Sequence, residues 1–165
     1  MISDKAKQQI DTWIAKYPAE HKSSAVMEAL KIVQAENENR LSPEAIQAVA
    51  DYLEMPAIAA AEVATFYENY NHQPMGKHVI RFCHNISCML NGSDDLVSYL
   101  ENKLGVKTGE VTPDGLISVK KVECLGACVG APMFQIGDTY YEHLTREKID
   151  EIVDGLKWMK FALEI

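Results

Sequence analysis

His78-Val79-Ile80-Arg81-Phe82 runs straight into Cys83, and Ile117-Ser118-Val119-Lys120-Lys121-Val122 runs, after Glu123, into Cys124. Both stretches have the length and β-branched content of strands. Between them Leu96, Val97, Leu100 and Leu104 recur at helical spacing, with Ser93 as a candidate cap and Gly105 as the stop. Strand, helix, strand predicts a right-handed crossover and parallel strands. Each strand then delivers a cysteine pair at its carboxyl end, the edge where open α/β sheets place their sites. The pairs are Cys83/Cys88 and Cys124/Cys128, which can meet although 35 residues separate Cys88 from Cys124.

Downstream, Thr112-Pro113-Asp114-Gly115 predicts a turn, and Met133–Ile136 and Thr139–Tyr141 a hairpin about Gly137-Asp138. Thr145 can cap a last helix with Ile149, Ile152, Val153 and Leu156 facing inward. A βαβ unit, a hairpin and a helix make a thioredoxin-like module.

Upstream the period is helical. Ser3 can cap a helix carrying Ile10, Trp13, Ile14 and Tyr17, which Pro18 stops. Ser23 or Ser24 can cap a second, with Val26, Leu30 and Val33 on one stripe. Ser42-Pro43-Glu44 starts a third, and a fourth begins near Pro56 and runs through Val63, Phe66 and Tyr67. Helices this short need one another, which predicts a small bundle. Phe66 and Tyr67 are expected to bury against the ferredoxin module or against a partner, with core packing favoured. Asn71 to Gly76 reads as a linker. The expected class is α+β: a four-helix bundle over residues 1–73, then a thioredoxin-like α/β domain over 74–165.

The chain has 165 residues, with 16 Lys+Arg against 24 Asp+Glu and a net charge of −8. That surface repels phosphate backbones, so no nucleic-acid partner is expected. Met55 to Tyr67, the most apolar stretch, is too short to span a bilayer, so no direct membrane insertion is expected. The first residues lack the basic-then-apolar run of a signal peptide, and a cytoplasmic location is expected. There the thiols stay reduced, and disulfides become the weaker reading.

Four cysteines at one sheet edge suggest four thiolate ligands for zinc or an iron–sulfur cluster. Structural zinc favours tighter Cys-x2-Cys knuckles, whereas these loops hold four and three residues between cysteines. Cys124-Leu125-Gly126-Ala127-Cys128-Val129-Gly130 is small and apolar, with glycines where backbone could approach a bulky cluster. Spacing leans to the cluster and leaves zinc open. A dithiol redox pair is weak, since no Cys-x-x-Cys occurs and neither pair opens a helix. His84 could replace a thiolate as in a Rieske centre, but the second loop has no histidine partner; a solvent-facing role is expected. Arg81, Lys120 and Lys121 flank the cysteines and are read as solvated strand charges, with tuning of a redox potential as the sharper alternative.

Cys83-x4-Cys88 followed by Cys124-Leu125-Gly126-Ala127-Cys128 resembles the peripheral 2Fe-2S subunit of bacterial NADH:quinone oxidoreductase, respiratory complex I. Val63-Ala64-Thr65-Phe66-Tyr67, Gly109 to Gly115 and His143-Leu144-Thr145 resemble that family too, over about residues 8–158. The resemblance implies a 2Fe-2S cluster on Cys83, Cys88, Cys124 and Cys128. It implies an electron carrier rather than a chain catalytic alone, peripheral on the cytoplasmic side of the inner membrane. NADH and FMN would be bound by a flavoprotein subunit, with a larger iron–sulfur subunit as second partner. The cluster would exchange single electrons with FMN in a complex that passes electrons to quinone. In isolation the chain could dimerise through the surface meant for the flavoprotein. The same module is known in NAD-dependent formate dehydrogenase and NAD-reducing hydrogenase. A zinc-stabilised interaction protein is the alternative from a different class.

Overall fold

The computed structural model describes residues 2–162, with side chains through 158. The chain divides into two compact units, Met1–Pro74 and Met75–Ile165.

Among the described residues the first unit holds four α-helices: α1 (Asp4–Ile14), α2 (Val26–Glu36), α3 (Pro43–Leu53) and α4 (Ala57–Phe66). Ser3 Oγ accepts from Ala6 N–H at the start of α1, and Ser42 Oγ from Ala45 N–H at the start of α3. Pro43 stands in the first turn of α3, where its missing N–H is not needed. The expected cap at Ser23 or Ser24 does not form. Both serines lie in a 3-10 segment, Ala19–Ala25, that feeds directly into α2. Ile10, Leu30, Val33, Ile46, Val49 and Leu53 share one apolar core.

α4 corrects a second expectation. Its inward stripe is Ala60 and Ala64, one turn apart and fully buried. Small residues let this helix approach its neighbours closely. Phe66 and Tyr67 sit off that stripe, 78 % and 41 % exposed, so they do not pack in the core. They contact each other edge to face at 5.0 Å. The segment read as a linker is also partly fixed. Asn71 is buried: its N–H donates to Gln34 Oε1 at 2.6 Å, and its Nδ2 to the Asn39 carbonyl.

The second unit is built on a sheet of order β2-β1-β3-β4: β1 (His78–Cys83), β2 (Ile117–Val122), β3 (Phe134–Ile136) and β4 (Thr139–Tyr141). β1 and β2 are parallel, β1 and β3 antiparallel, β3 and β4 antiparallel. Strand alternation puts Ile80, Phe82, Ile117, Val119, Phe134 and Ile136 in one core. Two helices pack on that set, α6 (Ser93–Leu104) with Val97 and Leu100, and α7 (Arg146–Ala162) with Ile149, Val153 and Leu156. Gly92, not Ser93, caps α6; Ser93 is its first residue and is buried. Gly76 is a close-approach glycine rather than a turn glycine. A Cβ there would meet the Ile117 backbone at 2.7 Å, and its N–H donates to the buried Ser118 Oγ.

Candidate metal centre

The parallel register pairs Cys83 with Val122. Cys124, two residues past Val122, is thereby brought to the end of the strand that carries Cys83. Cys83 is the last residue of β1, and alternation puts it on the face opposite Phe82. The chain then turns at Asn85 into a short helix, α5 (Ile86–Leu90), which holds Cys88. Asn85 Oδ1 accepts from Ile86 N–H at its start. The first cysteine interval therefore contains a helical turn where none was expected. Five residues are too few for a periodic signal; the asparagine cap was the one clue available.

The second pair lies beyond β2. Gly126 takes φ 84°, a region other residues enter at a cost, and its N–H points to Cys124 Sγ at 3.4 Å. Cys128 opens a single 3-10 turn, Cys128–Gly130. Gly130 is required by crowding, because a Cβ there would run into the Glu142 side chain. These glycines thus serve the loop's own conformation and packing.

Three polar contacts hold the loops in place. Asn85 Nδ2 donates to Glu123 Oε2 at 2.7 Å, joining one loop to the other. His84 N–H donates to the Val122 carbonyl. Tyr140 Oη donates to the Leu125 carbonyl at 2.8 Å, tethering the second loop to β4. No sequence signal marked Tyr140 or Glu123 for these roles.

The four cysteines fall into two pairs, one exposed and one buried. Cys124 Sγ and Cys128 Sγ are 3.5 Å apart on the exposed side. Cys83 and Cys88 are buried with Met133. Burial pushes the Cys88 thiol up to about 11, with Cys83 adding to the rise and the Met133 N–H opposing it. The hydrogen bond to Cys124 raises Cys128. Nearby charge on Cys83 contributes to the rise at Cys128, and charge on Cys128 to that at Cys88.

Among the described residues no group of three or more histidine, cysteine or carboxylate side chains is arranged as a single-ion site. The donor set suits a centre with two metals. Two thiolates ~2.3 Å from a tetrahedral metal stand ~3.8 Å apart, close to the Cys124–Cys128 separation of 3.5 Å. A cation bound there would require the thiols to be deprotonated. A backbone N–H already aims at one sulfur, Gly126 at Cys124, the kind of donor that tunes iron–sulfur centres.

His84 stands outside the sulfur set, with Nε2 3.7 Å from Glu123 Oε1. Lys121 Nζ is engaged with Asp94 at 3.3 Å. Arg81 is half-buried on β1, on the same strand face as Cys83.

The family model described as thioredoxin-like [2Fe-2S] ferredoxin matches residues 10–157. The chain belongs to the thioredoxin-like 2Fe-2S ferredoxin family. Its cofactor is a 2Fe-2S cluster. The chain is 49 % identical over 144 residues to the E subunit of NADH-quinone oxidoreductase from Rickettsia bellii, covering 87 % of this chain and 86 % of that protein. It is 46 % identical over 141 residues to the Rickettsia felis counterpart of the same name, covering 86 % and 84 %. An air-oxidized NAD+-reducing [NiFe]-hydrogenase is similar in structure, with a TM-score of 0.64 and 20 % identity. That match covers 79 % of this chain but only 23 % of the hydrogenase chain, and it speaks to the ferredoxin fold alone.

Proposed function

We propose that this chain is the electron-transfer subunit of an NADH:quinone oxidoreductase. Cys83 and Cys88 hold one iron of its 2Fe-2S cluster, and Cys124 and Cys128 hold the other. What supports this reading is that the two cysteine-bearing loops follow adjacent parallel strands, with one pair buried and one exposed. When bound, the cluster supplies a one-electron carrier.

The protein's own groups set the conditions. The buried pair anchors the site in the fold, and the exposed pair leaves one side open to a partner. Ile86, Met89, Leu90 and Val129 stand exposed on the cysteine-bearing segments. Exposed apolar side chains on these segments favour a docking surface that excludes water once covered. Its partner in this proposal is the flavoprotein subunit, which binds NADH and FMN and exchanges single electrons with this chain. The larger iron–sulfur subunit is the second neighbour. The first unit is read as a four-helix bundle domain, residues 1–73, and the second as the thioredoxin-like 2Fe-2S domain, residues 74–165. Among the described residues no helix is long and apolar enough to cross a membrane. The proposed place is peripheral, on the cytoplasmic side of the inner membrane.

The test is NADH-driven reduction followed by visible absorption. NADH should bleach this chain's cluster when the flavoprotein subunit is present and leave the isolated chain unchanged. Bleaching that does not depend on the flavoprotein contradicts the assignment.

A further inference from the structure

The helical unit carries an open apolar groove of about 510 Å³ between α3 and α4. Leu41 and Ile46 are its buried residues, and Ala57, Ile58 and Ala61 of α4 line its other side. Ile58 is 69 % exposed. α4 reads Ala57-Ile58-Ala59-Ala60-Ala61-Glu62-Val63-Ala64-Thr65-Phe66, with one charge in the whole helix. A helix apolar on every side belongs in an interior. Here the Ala60/Ala64 side is buried, while Ile58 and Phe66 face outward.

Charge tells what kind of occupant fits. Between Arg40 and Lys77 the sequence has no lysine or arginine, against Glu44, Asp51, Glu54, Glu62 and Glu68. Glu44 and Glu62 are exposed on the two helices that form the groove. Lys22 neutralises Glu54, at the far end of α3, and Arg40 acts on Glu44. The groove is thus apolar inside with acids and no lysine or arginine on its own helices. A second copy docked groove to groove would set these acids against themselves across a two-fold axis. An anionic lipid surface is repelled for the same reason.

We propose that this groove seats an apolar helical segment of another subunit whose flanks carry lysine or arginine. The mode is a helix laid in a groove, with complementary charge fixing register and partner. The inference rests on the reading of the chain as a subunit, and it adds a contact separate from the cysteine site.

The test places the photocrosslinker p-benzoylphenylalanine at the exposed position Ile58, in the chain assembled in its complex, and maps the captured peptide. Expected is a peptide of another subunit, apolar at helical spacing and flanked by basic residues. Glu44→Lys with Glu62→Lys should cut the yield about fivefold at low salt, the scale of one or two lost ionic contacts. Asp4→Lys, on α1, should leave it unchanged. Capture within residues 75–162 of the same chain, capture of a second copy, of lipid or of a segment without basic residues overturns the proposal. So does no capture, or a yield indifferent to the charge reversal. The same probe at Val129 separates the two readings. Capture of the flavoprotein at Val129 without capture at Ile58 sinks the groove alone; failure at Val129 sinks the subunit reading.

Discussion

Asn85 and Glu123 join the two cysteine-bearing loops: Nδ2 of one donates to Oε2 of the other at 2.7 Å. Asn85 also starts the helix that holds Cys88, and Glu123 immediately precedes Cys124. One side-chain bond therefore links the segments that carry the buried and exposed thiols. Asn85→Ala should hasten loss of the cluster to an iron chelator. The fold should lose no more than about 1 kcal/mol, the scale of one exposed hydrogen bond. Chelator kinetics on the coloured protein, beside its thermal melt, checks this; unchanged kinetics would count against the link.

The cysteines should differ in what they do for the metal-free protein. Cys88→Ala and Cys128→Ala should both abolish the cluster. Only the first removes a buried group, 1 % exposed, and it should destabilise the metal-free fold by about 1–2 kcal/mol. The Cys128 variant should melt as the metal-free parent does. Denaturant titration of the three apoproteins decides, and equal stabilities would contradict the division into an anchoring and an open pair.

Two glycines should respond to alanine with opposite signs. At Gly76 the new Cβ would meet the Ile117 backbone at 2.7 Å, so the strand must shift, at about 1–3 kcal/mol. At Gly155, inside α7, nothing lies within 4 Å, and alanine should stabilise by about 0.5–1 kcal/mol. Paired melting curves give the answer.

Stability should fall in acid partly through Glu101. The Thr108 backbone N–H, the Thr108 hydroxyl and Lys107 hold its carboxyl down to about 2 from the usual 4.5. A lowered folded value stabilises fully above the unfolded value and is lost as pH falls from about 4.5 toward 2. Glu101→Gln should cost about 1–2 kcal/mol at neutral pH and flatten the profile across that window. Unfolding free energies at stepped pH on both proteins check the sign.

Arg81 should matter to the potential more than Lys121. Arg81 is half-buried on the strand face of Cys83, whereas Lys121 is exposed and paired with Asp94. Removing a cation near a negative centre disfavours the added electron. Arg81→Gln should lower the midpoint potential, and Lys121→Gln should leave it in place. A redox titration that finds both variants unchanged contradicts the role of Arg81.

The parts of the fold that a sequence can show are those with a period and a stop. β1, α6 and β2 were legible because alternation, helical spacing and Gly105 mark them. The approach of Cys83 to Cys124 followed from the parallel crossover. Core packing of Phe66 and Tyr67 was the wrong one of the two alternatives, because α4 is apolar on nearly every side, and their burial against a partner stays an expectation. Periodicity then cannot choose its inward face; the close fit of Ala60 and Ala64 does. The helix holding Cys88 was too short to show a period. The Asn85–Glu123 and Tyr140–Leu125 bonds join residues far apart in the chain, and no local pattern encodes them. Gly76 was read as the end of a linker and is instead required by the Ile117 backbone beside it.

The central claim is one 2Fe-2S cluster on Cys83, Cys88, Cys124 and Cys128. Its most direct test is EPR and visible absorption of the anaerobically purified chain, with iron, zinc and sulfide assayed on the same sample. The account predicts a red-brown protein, about two irons and two sulfides per chain, and an EPR signal that appears on reduction. A colourless, EPR-silent protein containing zinc would contradict it.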